Sequence, residues 1–133
     1  MTAGCDKTIL VVEDDIDIRD AIAEVLSDGE YRTLCAANGA VALEELRSAR
    51  PTPCVILLDM MMPVMDGREF RARQIRDDTL RNIPVIVLSA HAEASVAAAQ
   101  MNADGYLAKP VDLNQLLDTV EQFCARDARS KAD

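Results

Sequence analysis

Five short apolar runs, each followed by a stretch with helical spacing, constrain this chain more than any other feature. They are "ILVV" (9–12), "YRTLCAA" (31–37), "CVILL" (54–58), "VIVL" (85–88) and "YLA" (106–108). An uninterrupted apolar run of this length suits a strand covered on both faces, and strands that alternate with helices imply repeated βα units around a parallel sheet. The second run alternates more than the others and reads as an edge strand. The chain has 133 residues, enough for one core and too few for two. With two Phe, two Tyr and no Trp, that core must be aliphatic and alanine-rich.

The intervening segments predict five helices. Ile18, Ala21, Ile22, Val25 and Leu26 recur at helical spacing, and Asp28-Gly29 reads as their stop. A second helix over 39–48 directs Val41, Leu43 and Leu46 to the core before "ARPTP" breaks it. A third starts near Gly67 and carries Phe70 and Ile75, with five arginines between 68 and 81 reading as a solvated face. The fourth, "AEASVAAAQMN", is helical by propensity but has few large apolar anchors, which predicts a weak hold on the sheet. In the last, Asp112 and Gln115 resemble a capping box ahead of a stripe formed by Leu113, Leu116, Leu117, Val120, Phe123 and Cys124. The predicted domain spans 6–126, followed by a polar tail at 127–133 that frays.

Several function classes are excluded. The net charge of −9 disfavours nonspecific binding to nucleic acid backbones. No apolar run approaches the roughly 20 residues needed to span a bilayer, and "MTAGCDKT" lacks the plan of a signal peptide, so a cytoplasmic protein is expected. Four scattered cysteines with a single histidine argue against a zinc site or a disulfide framework and read as free thiols. The first strand-helix loop contains no glycine, which contradicts a dinucleotide or P-loop site.

Ligands of open parallel sheets bind outside the carboxyl ends of the strands. The first run ends on Glu13, Asp14 and Asp15, the third on Asp59, the fourth on Ser89, and the fifth on Lys109-Pro110. Carboxylates gathered at a partly buried edge repel one another and call for a cation. With Asp14, Asp15 and Asp59 set against the Lys109 ammonium, two negative charges remain, which a divalent ion would neutralise. Oxygen donors of this kind suit Mg2+, which retains waters and accepts a phosphate oxygen. Lysine is rare here, three against eleven arginines, and a compact ammonium makes point contact with a phosphoryl oxygen. An Asp beside a metal, an ammonium and a hydroxyl has the parts needed to accept a phosphoryl group.

The segments "ILVVEDD", "CVILLDMMMPVMDG", "PVIVLSA" and "ADGYLAKPVD", in this order and spacing, resemble a two-component response-regulator receiver domain over about residues 7–125. The resemblance implies a stand-alone α/β domain of flavodoxin-like (βα)5 fold, doubly wound, with strand order 2-1-3-4-5. It implies that Asp59 is the phosphoacceptor, that Asp15 and Asp59 ligate Mg2+ directly and Asp14 through water, and that the Met61 backbone carbonyl completes the set. Lys109 and Ser89 would contact the phosphoryl group, Ser89 and Tyr106 would form the switch, and the Lys109-Pro110 bond would be cis. The donor would be a histidine kinase or a histidine phosphotransfer protein. The output would be protein contact through the fourth helix, fifth strand and fifth helix, with no direct role for nucleic acid or membrane. Such a chain is a phosphoacceptor acting on itself and not an enzyme turning over a substrate.

Met60 and Met62 read as packing residues, since methionine fills irregular gaps. Met61, with His91, is expected to obstruct hydrolytic water. Two alternatives remain: a receiver-like module that binds partners without phosphorylation, and a haloacid-dehalogenase-type phosphatase. The latter places its nucleophile after the first strand in a D-x-D pattern, where this chain has E-D-D.

Overall fold

A computed structural model describes residues 7–49, 52–90 and 93–132, with side chains described through Cys124. The elements alternate as β1 (Thr8–Val12), α1 (Ile16–Asp28), β2 (Arg32–Ala36), α2 (Gly39–Ser48), β3 (Val55–Asp59), α3 (Gly67–Arg76), β4 (Val85–Ala90), α4 (Ala94–Met101), β5 (Gly105–Lys109) and α5 (Leu113–Ala132). The five strands form one parallel sheet in the order β2-β1-β3-β4-β5, as the repeated βα pattern and the resemblance imply.

Because neighbouring residues of a strand face opposite sides, the apolar runs of β1, β3 and β4 feed two cores. Leu10, Val12, Ile56, Leu58, Val85 and Val87 pack with Leu43, Leu46 and Phe70 on the side of α2, α3 and α4. Ile9, Val11, Val55, Leu57, Ile86 and Leu88 pack with Ile22, Leu26, Leu116 and Val120 on the side of α1 and α5. β1 and β3 are buried throughout, whereas β2 is half exposed, as an edge strand should be.

Side-chain caps start four of the helices where short polar residues stand. Asp15, Asn38, Asp66 and Asp112 accept from backbone N–H groups two or three residues on. Gly29 ends α1, but the left-handed residue there is Glu30, at φ 69°.

Several expectations are corrected. Val41 lies on an exposed helix flank and not at the core, which α2 fills with Ala42, Leu43 and Leu46; Ile75 is likewise exposed on α3, which buries Phe70. Helix α4 buries Ala94, Ala97, Ala98 and Met101, so its small side chains bring the helix close to the sheet instead of leaving it loose. Arg71 is not part of a solvated face. It is buried, and its guanidinium donates to the Met101 and Asn102 carbonyls at the end of α4 and to Gln74 Oε1. Cys54 and Cys124 are not free thiols but form a disulfide, because β3 and α5 bring residues 70 apart in sequence to a Cα separation of 5.4 Å. Helix α5 continues to Ala132, through the segment expected to fray. His91 lies outside the described residues.

Candidate functional site

The sheet register brings the polar ends of four strands together. Asp59 is the last residue of β3 and pairs with Leu88, while Ala108 and Lys109 of β5 lie across from Ser89 and Ala90 of β4. The end of β1 passes directly into Glu13, whose N–H donates to Ala36 O of β2. Glu13, Asp59, Ser89, Ala90 and Lys109 border an open cleft of about 590 Å³ at the carboxyl edge of the sheet.

Lys109 organises the charges. Its ammonium donates to Asp59 Oδ1 at 2.8 Å and lies 3.1 Å from Glu13 Oε1. Glu13 is 1% exposed and Asp59 4%, so both carboxylates have lost most of their water. Burial, with the Asp59 charge adding to it, raises the Glu13 pKa against the lowering effects of the Asp15 N–H and Lys109. Burial also pulls the Lys109 pKa down, but its close contacts with the Asp59 and Glu13 carboxylates and their charges outweigh this, and the net shift is upward.

Carboxylate oxygens of Glu13, Asp14 and Asp59 lie within 4.8 Å of one another, Asp14 on the open side of the group. This differs from the expected ligand pair by one residue. Asp15 is committed elsewhere: its Oδ1 accepts from Asp17 N and Ile18 N, and its own N–H donates to Glu13 Oε2. Asp15 borders the cleft, but with its carboxylate holding the first turn of α1 it is not among the three acids whose oxygens gather there. Glu13 takes that place because it follows Val12 immediately and is still within the buried edge. The signal was legible, since Glu13 is the first polar residue after "ILVV".

The group tests as a cation site on one further observation. Glu13 Oε1 is buried and accepts no hydrogen bond, despite its ion pair with Lys109. Three carboxylates and one ammonium leave two negative charges on hard oxygen donors, which fits a divalent ion such as Mg2+.

Ser89 is buried on β4 and its side chain borders the cleft. Tyr106 is 51% exposed on β5 and does not border it. Met60 is buried in the core and Met62 packs against it, while Met61 is 81% exposed at the cleft mouth. The Lys109-Pro110 bond is cis.

The loop between Asp59 and α3 is tightly folded. Met65 N donates to Pro63 O at 2.7 Å, closing a three-residue turn with Val64 at φ 68°, a left-handed conformation that a β-branched residue rarely adopts. Gly39 N donates to Met65 O, fastening the loop to α2. Gly67 lies so close to the strand end that a Cβ there would stand 2.6 Å from Asp59 O.

Comparison with known proteins agrees with this geometry. The response regulator receiver domain model matches residues 9–121. Sporulation initiation phosphotransferase F of Bacillus subtilis is 35% identical over 119 residues, covering 88% of this chain and 93% of that protein. Response regulator MprA of Mycobacterium ulcerans is 41% identical over 120 residues, covering 89% of this chain, which spans only 50% of that relative's length. Among solved structures, a putative response regulator from Chloroflexus aurantiacus superimposes with a TM-score of 0.81 at 27% identity, covering 90% of this chain and 98% of that one. The receiver domain of sensor histidine kinase PA1611 from Pseudomonas aeruginosa, solved with a magnesium ion in its active-site cleft, gives 0.79 at 28% identity, covering 88% and 96%. The chain belongs to the response regulator receiver domain family of two-component systems.

Proposed function

We propose that this domain is a phosphorylation-activated switch that accepts a phosphoryl group on Asp59 from a histidine kinase or a histidine phosphotransfer protein. The observation that carries this reading is the Lys109 ammonium at 2.8 Å from a nearly buried Asp59 carboxylate, beside two further acids. Glu13, Asp14 and Asp59 are the side chains that would hold Mg2+, with the Met61 carbonyl expected beside them. A bound Mg2+ supplies charge neutralisation for the entering phosphoryl oxygens.

The remaining steps belong to the chain. Asp59 Oδ attacks phosphorus, the donor's P–N bond breaks, and the imidazole leaves. Lys109 screens the developing charge, and the Ser89 hydroxyl donates to one phosphoryl oxygen. In this reading the domain catalyses its own phosphorylation and dephosphorylation and turns over no separate substrate. The acyl phosphate carries more negative charge and more acceptor oxygens than the carboxylate it replaces. Ser89 moves toward those oxygens, and Tyr106, now exposed, rotates into the space vacated. α4, β5 and α5 then present an altered face to a downstream protein, with a coupling of about 1 to 3 kcal/mol. Transfer from a cytoplasmic kinase places the domain in the cytoplasm.

Incubation with acetyl phosphate and Mg2+, followed by intact mass measurement, tests the assignment. One phosphoryl adduct is expected on the wild type and none on Asp59→Asn; an adduct on both would remove Asp59 from its role.

A further inference from the structure

The Cys54–Cys124 bond lies at the other end of the strand that carries the acceptor. Cys54 immediately precedes β3, and Asp59 closes it; five residues of strand at about 3.3 Å each separate the two by roughly 16 Å. Both cysteines are buried in the core formed with Val55, Leu57, Leu116 and Val120.

The position of Cys124 along α5 matters as much as its depth. The apolar stripe that seats this helix consists of Leu116, Val120 and Cys124, with Leu113, Leu117 and Phe123 packed against the same core. After Cys124 the sequence is "ARDARSKAD", with no large apolar residue, although the backbone stays helical to Ala132. The disulfide therefore fastens α5 where its apolar seating ends. At the other end, the Asp112 cap fixes the first turn. The helix is pinned covalently at one point and by packing elsewhere.

We propose that Cys54 and Cys124 form a reversible thiol/disulfide pair that clamps α5 onto the sheet, a redox input to the helix that is independent of the acceptor cleft. Oxidation converts two thiols to one S–S bond and releases two protons and two electrons, which pass to a disulfide of low molecular mass and yield two thiols. A dithiol reverses the step and is itself oxidised to a disulfide. In the reduced form each sulfur remains a small apolar group in the same core, so the fold persists. The second half of α5 is then held by packing alone. The loop closed by the bond is long, with a sequence separation of 70, which makes its entropic effect on the unfolded chain large.

Four measurements on the protein test this. Alkylation with iodoacetamide in denaturant is expected to label two of the four cysteines in air-oxidised protein and all four after reduction; four labels in both would refute the bond. Protein reduced in denaturant and refolded with reductant is expected to melt roughly 10 °C lower than the oxidised form. Its hydrogen exchange is expected to be at least tenfold faster over 116–124 and unchanged over β4. Equal melting and exchange in the two states would overturn the clamp. The Cys54→Ala/Cys124→Ala variant should match reduced wild type and ignore reductant; if it responds, another group is the redox centre. Should that variant fail to fold, the two states of the wild type decide the matter alone. Asp59 labelling by acetyl phosphate should proceed at the same rate in both states, and a rate that falls on reduction would refute independence from the cleft.

Discussion

The two edges of the sheet are built on opposite terms. Toward the amino ends of β4 and β5 the polar groups are matched. Arg71 donates to two carbonyls at the end of α4, Gln74 donates to the Leu80 and Ile83 carbonyls, and Asp104 accepts from Val85 N. At the amino ends Thr33 Oγ1 on β2 is buried without a partner, and Glu30 and Asn102 are left-handed, but neither edge strand carries a charged group in that state. At the carboxyl edge, around the cleft, the mismatches involve the acids and the loop beside them. Glu13 Oε1 has no donor in hydrogen-bonding geometry, Val64 is left-handed, and Glu93 begins α4 with no side-chain cap. A buried carboxylate oxygen with no hydrogen-bond donor and a left-handed valine are held at the cleft and in the loop beside it by the structure around them. The difference teaches that substitutions at the two edges should change stability with opposite sign.

The largest effect is expected at the matched edge. Arg71→Ala strands the Met101 and Asn102 carbonyls and should lower stability by about 2 to 4 kcal/mol in urea unfolding, with protection lost first in α4. A loss below about 0.5 kcal/mol would remove Arg71 from the comparison.

The sign should reverse at the cleft. Glu13→Gln relieves repulsion with Asp59, so in EDTA at pH 7 it should stabilise by about 1 kcal/mol while weakening Mg2+ binding at least tenfold. Because the Glu13 pKa is raised in the folded state, its protonated form favours folding below about pH 4.5, and that contribution is lost as pH rises through the folded pKa. The stability gap between variant and wild type should therefore be absent near pH 4 and open toward neutrality. A gap that widened on acidification would contradict the assignment.

Val64→Gly removes the strain of a left-handed valine but adds unfolded-chain entropy, for a net gain of about 0.5 to 1 kcal/mol by thermal or urea unfolding. A loss would mean that the turn is unstrained. The smallest effect is expected at Met61. Met61→Asn replaces an apolar side chain at the cleft mouth with one that can hold water, and should speed loss of the phosphoryl group a few-fold, less than about 1 kcal/mol in barrier. An unchanged or slower rate would free Met61 of any role in excluding water.

Much of this was legible in the sequence. The strands were readable because burial on both faces demands unbroken apolar runs, and the Asp112 cap because a short acidic residue stands just ahead of an apolar stripe; the caps at Asn38 and Asp66 went unread. The cleft was legible because Asp59, Ser89 and Lys109 each terminate such a run. What escaped depended on distances between segments. Nothing local distinguishes Arg71 from the four arginines near it, since the carbonyls that hold it lie 30 and 31 residues away. The Cys54–Cys124 pairing required knowing that α5 lies over β3. The grouping of Glu13, and not Asp15, with Asp14 and Asp59 turned on one residue of phase, where a carboxylate could serve either a cleft or a helix cap.

Gly67 carries a further consequence. With only 2.6 Å between Asp59 O and the position a methyl carbon would take, the peptide after the acceptor and the first residue of α3 are immediate neighbours. Any attempt to diversify this loop by randomised libraries or grafting must leave position 67 bare. Even alanine there would force the backbone at the end of β3 to shift, because the atoms it meets are the Asp59 carbonyl and the Met60 Cα.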